Sequence, residues 1–337
     1  GASAPFQGDR PKSSTGMRVD RTGASSHFTD SRSTPRTYAR SAGRPSAAPR
    51  TPSRAPRSNA PQERPSFAPR KKIVPQKPPR TRSASFSSAP ATESWGNVAE
   101  WYHEHLGASD TYHQQVLLPH LLRLVDPKAK EKILDLACGE GFFTRAFHAK
   151  GAQVTGVDIG VELIEIAKQT TPEITYLVLP AAALSSIKKS SMDQVTIILA
   201  IQNIEEVSAV FTEAARVLRK DGTFHIVLNH PAFRIPKASS WEYDEKKKVQ
   251  YRRVDGYLSD TRSEMDMHPG ISGSAKTLSF HRPLQYYFKA LAKAGFAVDR
   301  LEEWISHKAS DSGPRAKAEN VARKEIPLFL YLSAKKQ

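Results

Sequence analysis

Two glycines, two aspartates and two histidines are spaced in this sequence in ways that could do chemistry. Gly139 and Gly141 lie in Ile133-Leu134-Asp135-Leu136-Ala137-Cys138-Gly139-Glu140-Gly141-Phe142-Phe143-Thr144, an apolar run that turns and then reads as a helix start. Glycine lets the backbone pass close to a ligand and take dihedrals that side chains forbid. Helix-start amides favour anionic or polar groups. Asp158 closes the next apolar run, Val154–Asp158. A carboxylate there can accept both hydrogen bonds of a ribose diol. Thr144 stands where the third glycine of a dinucleotide fingerprint would be, so the turn is not shaped for a pyrophosphate. Asp135, on the strand before the turn, suits a cationic ligand end better than a diphosphate. These residues point to a nucleotide-type cofactor with a positive charge.

The elements that must position them alternate. Lys132–Leu136, Gln153–Asp158, Thr175–Leu179, Gln194–Ala200 and Thr223–Leu228 read as strands, with helices over 141–149, 161–169 and 207–218. This rhythm predicts an α/β fold, a mostly parallel sheet with helices on both faces. Two helices, Trp95–Leu106 and Tyr112–Val125, precede it. After it come an irregular stretch over 231–283, a helix Leu284–Ala294, a strand Ala297–Ile305 and a last strand Leu328–Ser333.

Over residues 93–337 the chain resembles the class I S-adenosylmethionine (SAM)-dependent methyltransferases, in the small-molecule branch of the ubiquinone and menaquinone enzymes. The first family motif, hhDhGCGxG, matches Ile133–Gly141, and the ribose acid matches Asp158. Ser191-Met192-Asp193-Gln194-Val195 is similar to the lead-in to strand four. Glu213–Gly222 is similar to the "E..RvLkpGG" helix and turn, and Phe288–Phe296 to the "L..AGF" helix. The resemblance implies a Rossmann-like, seven-stranded sheet with an antiparallel last strand. It implies SAM held by Asp135, Ala137, Cys138, Gly139, Gly141 and Phe143 at the first turn and by Asp158 and Ile159 at the second. Ala181 and Ala182 would hold the adenine, and Ala200 and Gln202 would lie past strand four. Pro180 departs from the pattern, where many members carry an acid for the adenine amino group; backbone groups of Ala181 and Ala182 would serve instead. Cys138 reads as a small buried filler.

The methyl acceptor is expected beyond the carboxyl ends of strands four and five. His230 ends strand five and could remove a proton as the methyl moves; a packed histidine is the alternative. His281, with Arg282, stands before the helix at Leu284 and is weighed the same way. Asn203, Trp241 and Tyr251 are expected to touch the acceptor, with Tyr102, Tyr112 and His113 closing from the near side. Residues 232–280, which include Tyr243, Arg252, Arg253 and Tyr257, read either as a cover over this pocket or as a hairpin packed for stability. The Leu199–Ile204 segment lacks the [DNS]-P-P-[YFW] of base-amino methyltransferases.

Charge divides the chain. Residues 1–92 hold 18 Lys/Arg against 4 Asp/Glu and 14 of the 24 prolines. This composition reads as a disordered basic tail, able to make weak, salt-sensitive contact with RNA or another polyanion, or merely solubilising. The rest holds 32 Lys/Arg against 30 Asp/Glu, an ordinary globular balance. The single cysteine excludes an internal disulfide and a cysteine-based zinc site. No metal-ligand cluster is apparent, and no apolar run is long enough to span a membrane. A cytoplasmic enzyme of class EC 2.1.1.- acting on a small molecule is the expected function. Alternatives are a methyltransferase of RNA or a ribosome-associated protein recruited by the tail, and a SAM-binding protein without catalysis.

Overall fold

The computed structural model describes residues 110–267 and 276–337. The basic tail, the helix expected at Trp95–Leu106 and Tyr102 lie outside the described residues.

The chain enters through a π-turn, His113–Leu117, that runs into α1, Leu118–Val125. Then β1 (Lys132–Leu136), α2 (Phe142–His148), β2 (Gln153–Asp158), α3 (Val161–Thr170) and β3 (Thr175–Val178) follow. β4 (Met192–Ile198), a 3-10 turn at Ile201–Asn203, α4 (Val207–Val217) and β5 (Leu218–Asn229) complete the alternating part. β6 (Ser239–Asp244), β7 (Val249–Val254), β8 (Thr261–Asp266) and β9 (Lys276–His281) come next. α5 (Leu284–Lys293), β10 (Phe296–Trp304), α6 (Ala316–Glu325) and β11 (Phe329–Lys336) end the chain.

Seven strands form one sheet in the order β3-β2-β1-β4-β5-β11-β10. β1 to β5 pair in parallel, and β11 runs antiparallel to both neighbours. The strand order reverses between β1 and β4, so a crevice opens at the carboxyl ends there. Side-chain alternation sends the two halves of each strand to opposite faces. Leu134, Leu136, Val195, Ile197, Phe224 and Ile226 pack against α4 and α5. Ile133, Ile198, Val227 and Tyr331 pack against α1 and α2. Asp135, Thr196 and His225 share the second face with Ile133, so polar groups are embedded in that core.

Two expectations need correction. The stretch over 231–283 is not irregular: β6 pairs with β7 and β8 with β9 as two antiparallel ladders. The segment at 218–222 is not a simple turn after the helix, because β5 already begins at Leu218. Leu218 opposes Met192 and Thr223 opposes Gln194, so residues 219–222 bulge out, with Asp221 at φ 61°.

Candidate cofactor and acceptor site

The first crossover is held from below. Gly141 caps α2 with φ 84° and Gly139 has φ 57°, backbone shapes that favour glycine. A methyl group on Gly141 would stand 2.5 Å from the Tyr176 hydroxyl oxygen, and one on Gly156 would stand 2.7 Å from the Tyr176 ring. Tyr176, on β3, therefore fills the space under the loop, and both glycines are there to admit it. Cys138 is packed against Gly156, and burial pushes its thiol well up from the ordinary value, as expected of an inert filler.

Asp158 ties the loop to the end of β2. The Gly139 amide donates to Oδ2 and the Gly160 amide to Oδ1, each at 2.8 Å. Burial pushes its carboxyl up, and the backbone donors oppose that shift. Next to it Ile159 is 72% exposed, an apolar surface fit for a planar ring. Ala181 and Ala182 follow β3, buried and half-buried.

Asp135 does not face the loop as an open charge. Thr144 and Thr196 each donate a hydroxyl to it at 2.7 Å. Burial pushes its carboxyl up to about 6, with the threonine bonds pulling the other way. Its place is beneath the cradle, joining β1, α2 and β4. Thr144, marked in the sequence only as a missing glycine, supplies one of those bonds.

Past β4, Gln202 donates Nε2 to the Leu199 carbonyl at 2.5 Å, while its Oε1 is buried with no hydrogen-bond partner. A buried acceptor left open fits the ammonium end of a cationic amino-acid cofactor. Ala200 and Asn203 flank it, half-buried.

The near side is aromatic. His113 stacks on Phe143 at 5.7 Å, and Tyr112 meets Phe329 edge-on at 5.7 Å and reaches Ser306. On the far side His230 is 3% exposed. Its Nδ1 accepts from the Ala232 amide, so Nε2 carries the proton and donates to Glu303 at 2.7 Å. Both ring nitrogens are engaged, and burial lowers its pKa. His281 is also buried, and its Nε2 donates to the Tyr257 carbonyl at 2.8 Å. β9, which carries it, packs against the Ile201–Asn203 turn. Trp241 and Tyr251 sit on β6 and β7 and are partly exposed. Arg252 lies over the Trp241 ring, and the Tyr251 hydroxyl donates to Glu242. α6 packs against β7. Glu303 and Tyr176 carried no signal in the sequence, because only strand neighbours bring them to the site. Among the described residues no cluster of three His, Cys, Asp or Glu could hold a metal, and no helix is long and apolar enough to cross a membrane.

A methyltransferase-domain family model matches residues 134–226. The chain is 28% identical over 170 residues to a biotin biosynthesis bifunctional protein of Cellvibrio japonicus, covering 50% of this chain and 31% of the relative. It is 29% identical over 112 residues to a ubiquinone biosynthesis O-methyltransferase of Paracidovorax citrulli, covering 32% and 47%. The match thus spans less than half the length of these curated relatives. A crystal structure of a SAM-dependent methyltransferase from Mesorhizobium loti aligns with TM-score 0.52 and 26% identity, over 65% of this chain and 96% of that one. A second, from Listeria monocytogenes, aligns at 0.51 with 23% identity and shares the fold. The chain carries a methyltransferase domain with the sheet order of the class I SAM-dependent methyltransferases, and SAM is its cofactor.

Proposed function

We propose that the protein transfers a methyl group from SAM to a small-molecule acceptor bound beyond β4 and β5. The observation that carries this reading is the double clamp of Asp158 on Gly139 and Gly160, which holds a cofactor-shaped loop against an exposed apolar residue. Bound SAM supplies a sulfonium-activated, electrophilic methyl group. The loop amides and the outer lone pairs of Asp158 hold the ribose, Ile159 and the Ala181–Ala182 backbone hold the adenine, and Gln202 Oε1 accepts from the ammonium. Asp135 positions the loop through Thr144 and does not touch the cofactor. His281 is the side chain suited to take a proton from the acceptor: with Nε2 donating to Tyr257, its lone pair is on Nδ1. His230, with both nitrogens engaged, positions the turn after β5.

A small-molecule acceptor is supported by the near-neutral balance of residues 93–337 and by relatives named for biotin and ubiquinone biosynthesis. Trp241 and Tyr251 belong to the 232–280 segment that borders this side. Labelled SAM incubated with protein and cell lysate, then fractionated, tests the reading. Label is expected in the small-molecule fraction. Label confined to RNA or protein would instead assign the acceptor to a macromolecule, and removal of residues 1–92 would then abolish the transfer.

A further inference from the structure

The turn after β4 is strained and is held at both ends. Leu199 takes φ 53°, a left-handed shape that leucine adopts where its surroundings impose it. The chain then makes the 3-10 turn Ile201–Asn203 and reaches Glu205, just before α4. At the near end the Leu199 amide donates to the Val227 carbonyl at 2.8 Å, and Gln202 Nε2 donates to the Leu199 carbonyl. At the far end the Glu205 carbonyl accepts from the Val207 amide at 3.1 Å and from Arg282 Nη2 at 2.7 Å. The Arg282 bond spans 77 positions and ties the turn to the junction between β9 and α5.

Arg282 is itself fixed. It is 7% exposed, and its guanidinium lies 5.0 Å from the centre of the Phe280 ring and 5.3 Å from that of Tyr286. Those rings stand near the end of β9 and in the first turn of α5. β9 also packs against the Ile201–Asn203 turn. The junction has a second anchor: His281 Nε2 donates to the Tyr257 carbonyl at 2.8 Å and the Leu284 amide to the Tyr257 hydroxyl at 3.0 Å. Packing alone does not account for an arginine here. Its Nη1 is closed to solvent and has no hydrogen-bond partner among the described residues. Such a buried donor on a charged group is destabilising, and an apolar side chain would fill the space without that loss. What arginine adds is a donor, held by its planar group, that reaches the Glu205 carbonyl. Gln202, on the same turn, carries another open buried atom, Oε1. Strain at Leu199 and an open acceptor on Gln202 persist together only where the turn is prevented from relaxing.

We propose that Arg282 is a positioning residue for the cofactor: it fixes the turn after β4 that presents Gln202 Oε1 to the ammonium of SAM. The assignment rests on Gln202 as the acceptor for that ammonium. A double-mutant cycle on the full chain, read by calorimetry with SAM, tests it. Gln202→Ala and Arg282→Met should each weaken SAM binding at least fivefold. In the double variant Arg282→Met should cost less than a further twofold, because it acts through Gln202. Arg282→Lys keeps a donor for the Glu205 carbonyl and should recover part of the affinity. If Arg282→Met gives no cooperative urea transition, Arg282→Gln takes its place in the cycle with the same expected outcome. Full affinity in the Arg282 variant, or losses that multiply in the double variant, overturns the Arg282 assignment alone. Full affinity in Gln202→Ala removes Gln202 from the cofactor site, and the Arg282 assignment with it.

Discussion

Thr144 donates its hydroxyl to the carboxylate of Asp135 across 2.7 Å, in a place closed to solvent. Thr196 donates to the other oxygen. Two neutral donors do not offset the loss of water, so the carboxyl rests at about 6 rather than near 3.8. A carboxyl whose folded pKa is raised favours the folded state when protonated. Its contribution is whole below about pH 3.8 and gone above about 6. The gap corresponds to about 3 kcal/mol. Asp135→Asn should remove this fall in stability between pH 4 and 6, measured by urea unfolding at each pH. A variant whose stability falls as steeply as the parent's would contradict the assignment.

His225 acts in the opposite direction. It is buried, accepts from the Tyr331 hydroxyl at Nδ1 and donates Nε2 to Gln194 Oε1 at 2.5 Å, while Gln194 Nε2 donates to the Val125 carbonyl. Burial lowers its pKa to about 3. A histidine with a lowered pKa favours the folded state when neutral, so its contribution is whole above about pH 6.5 and is lost as the pH falls towards 3. The full loss is about 5 kcal/mol. His225→Gln should flatten the acid limb of the stability curve; an unchanged acid midpoint would refute the role.

Asp158→Ala should weaken SAM binding by roughly 1–3 kcal/mol, because ribose hydroxyls and two loop amides lose an acceptor. Calorimetry checks this, and amide exchange at Gly139 should accelerate in the same variant. Unchanged affinity would remove Asp158 from the cofactor site.

Gly141→Ala meets two obstacles, a positive φ and the Tyr176 hydroxyl oxygen 2.5 Å away. Adding Tyr176→Phe removes that nearest atom and should recover part of the lost stability. The remaining strain, roughly 1 kcal/mol, should persist. Complete recovery would show that the backbone shape costs nothing there.

His230→Ala should leave the pH profile of methyl transfer unchanged between pH 6 and 9. It should lower stability by roughly 1–3 kcal/mol, since Glu303 and the Ala232 amide lose their partner. Loss of the basic limb of the rate profile would instead make His230 a base.

The alternating strands and the cofactor loop were legible in the sequence because their signals are local, and the resemblance to a family implied the seven-stranded sheet. Buried parallel strands are continuous apolar runs, and a left-handed turn needs glycine at a fixed place, as at Gly139 and Gly141. Asp158 was legible for the same reason, as the polar end of an apolar strand. The partners of those residues were not. Asp135 meets Thr196 across 61 positions, His230 meets Glu303 across 73, and Tyr176 fills the space that Gly141 and Gly156 leave. No periodicity records such pairs, because sheet order and register, rather than distance along the chain, decide which side chains meet. The sequence offered one hairpin within 232–280 but not the two ladders β6–β7 and β8–β9, because charged, partly exposed strands lack a clear apolar alternation. The sequence by itself thus determined the fold and the cofactor class. Only the tertiary structure decided which aspartate is closed off by threonines and which histidine has no lone pair to offer.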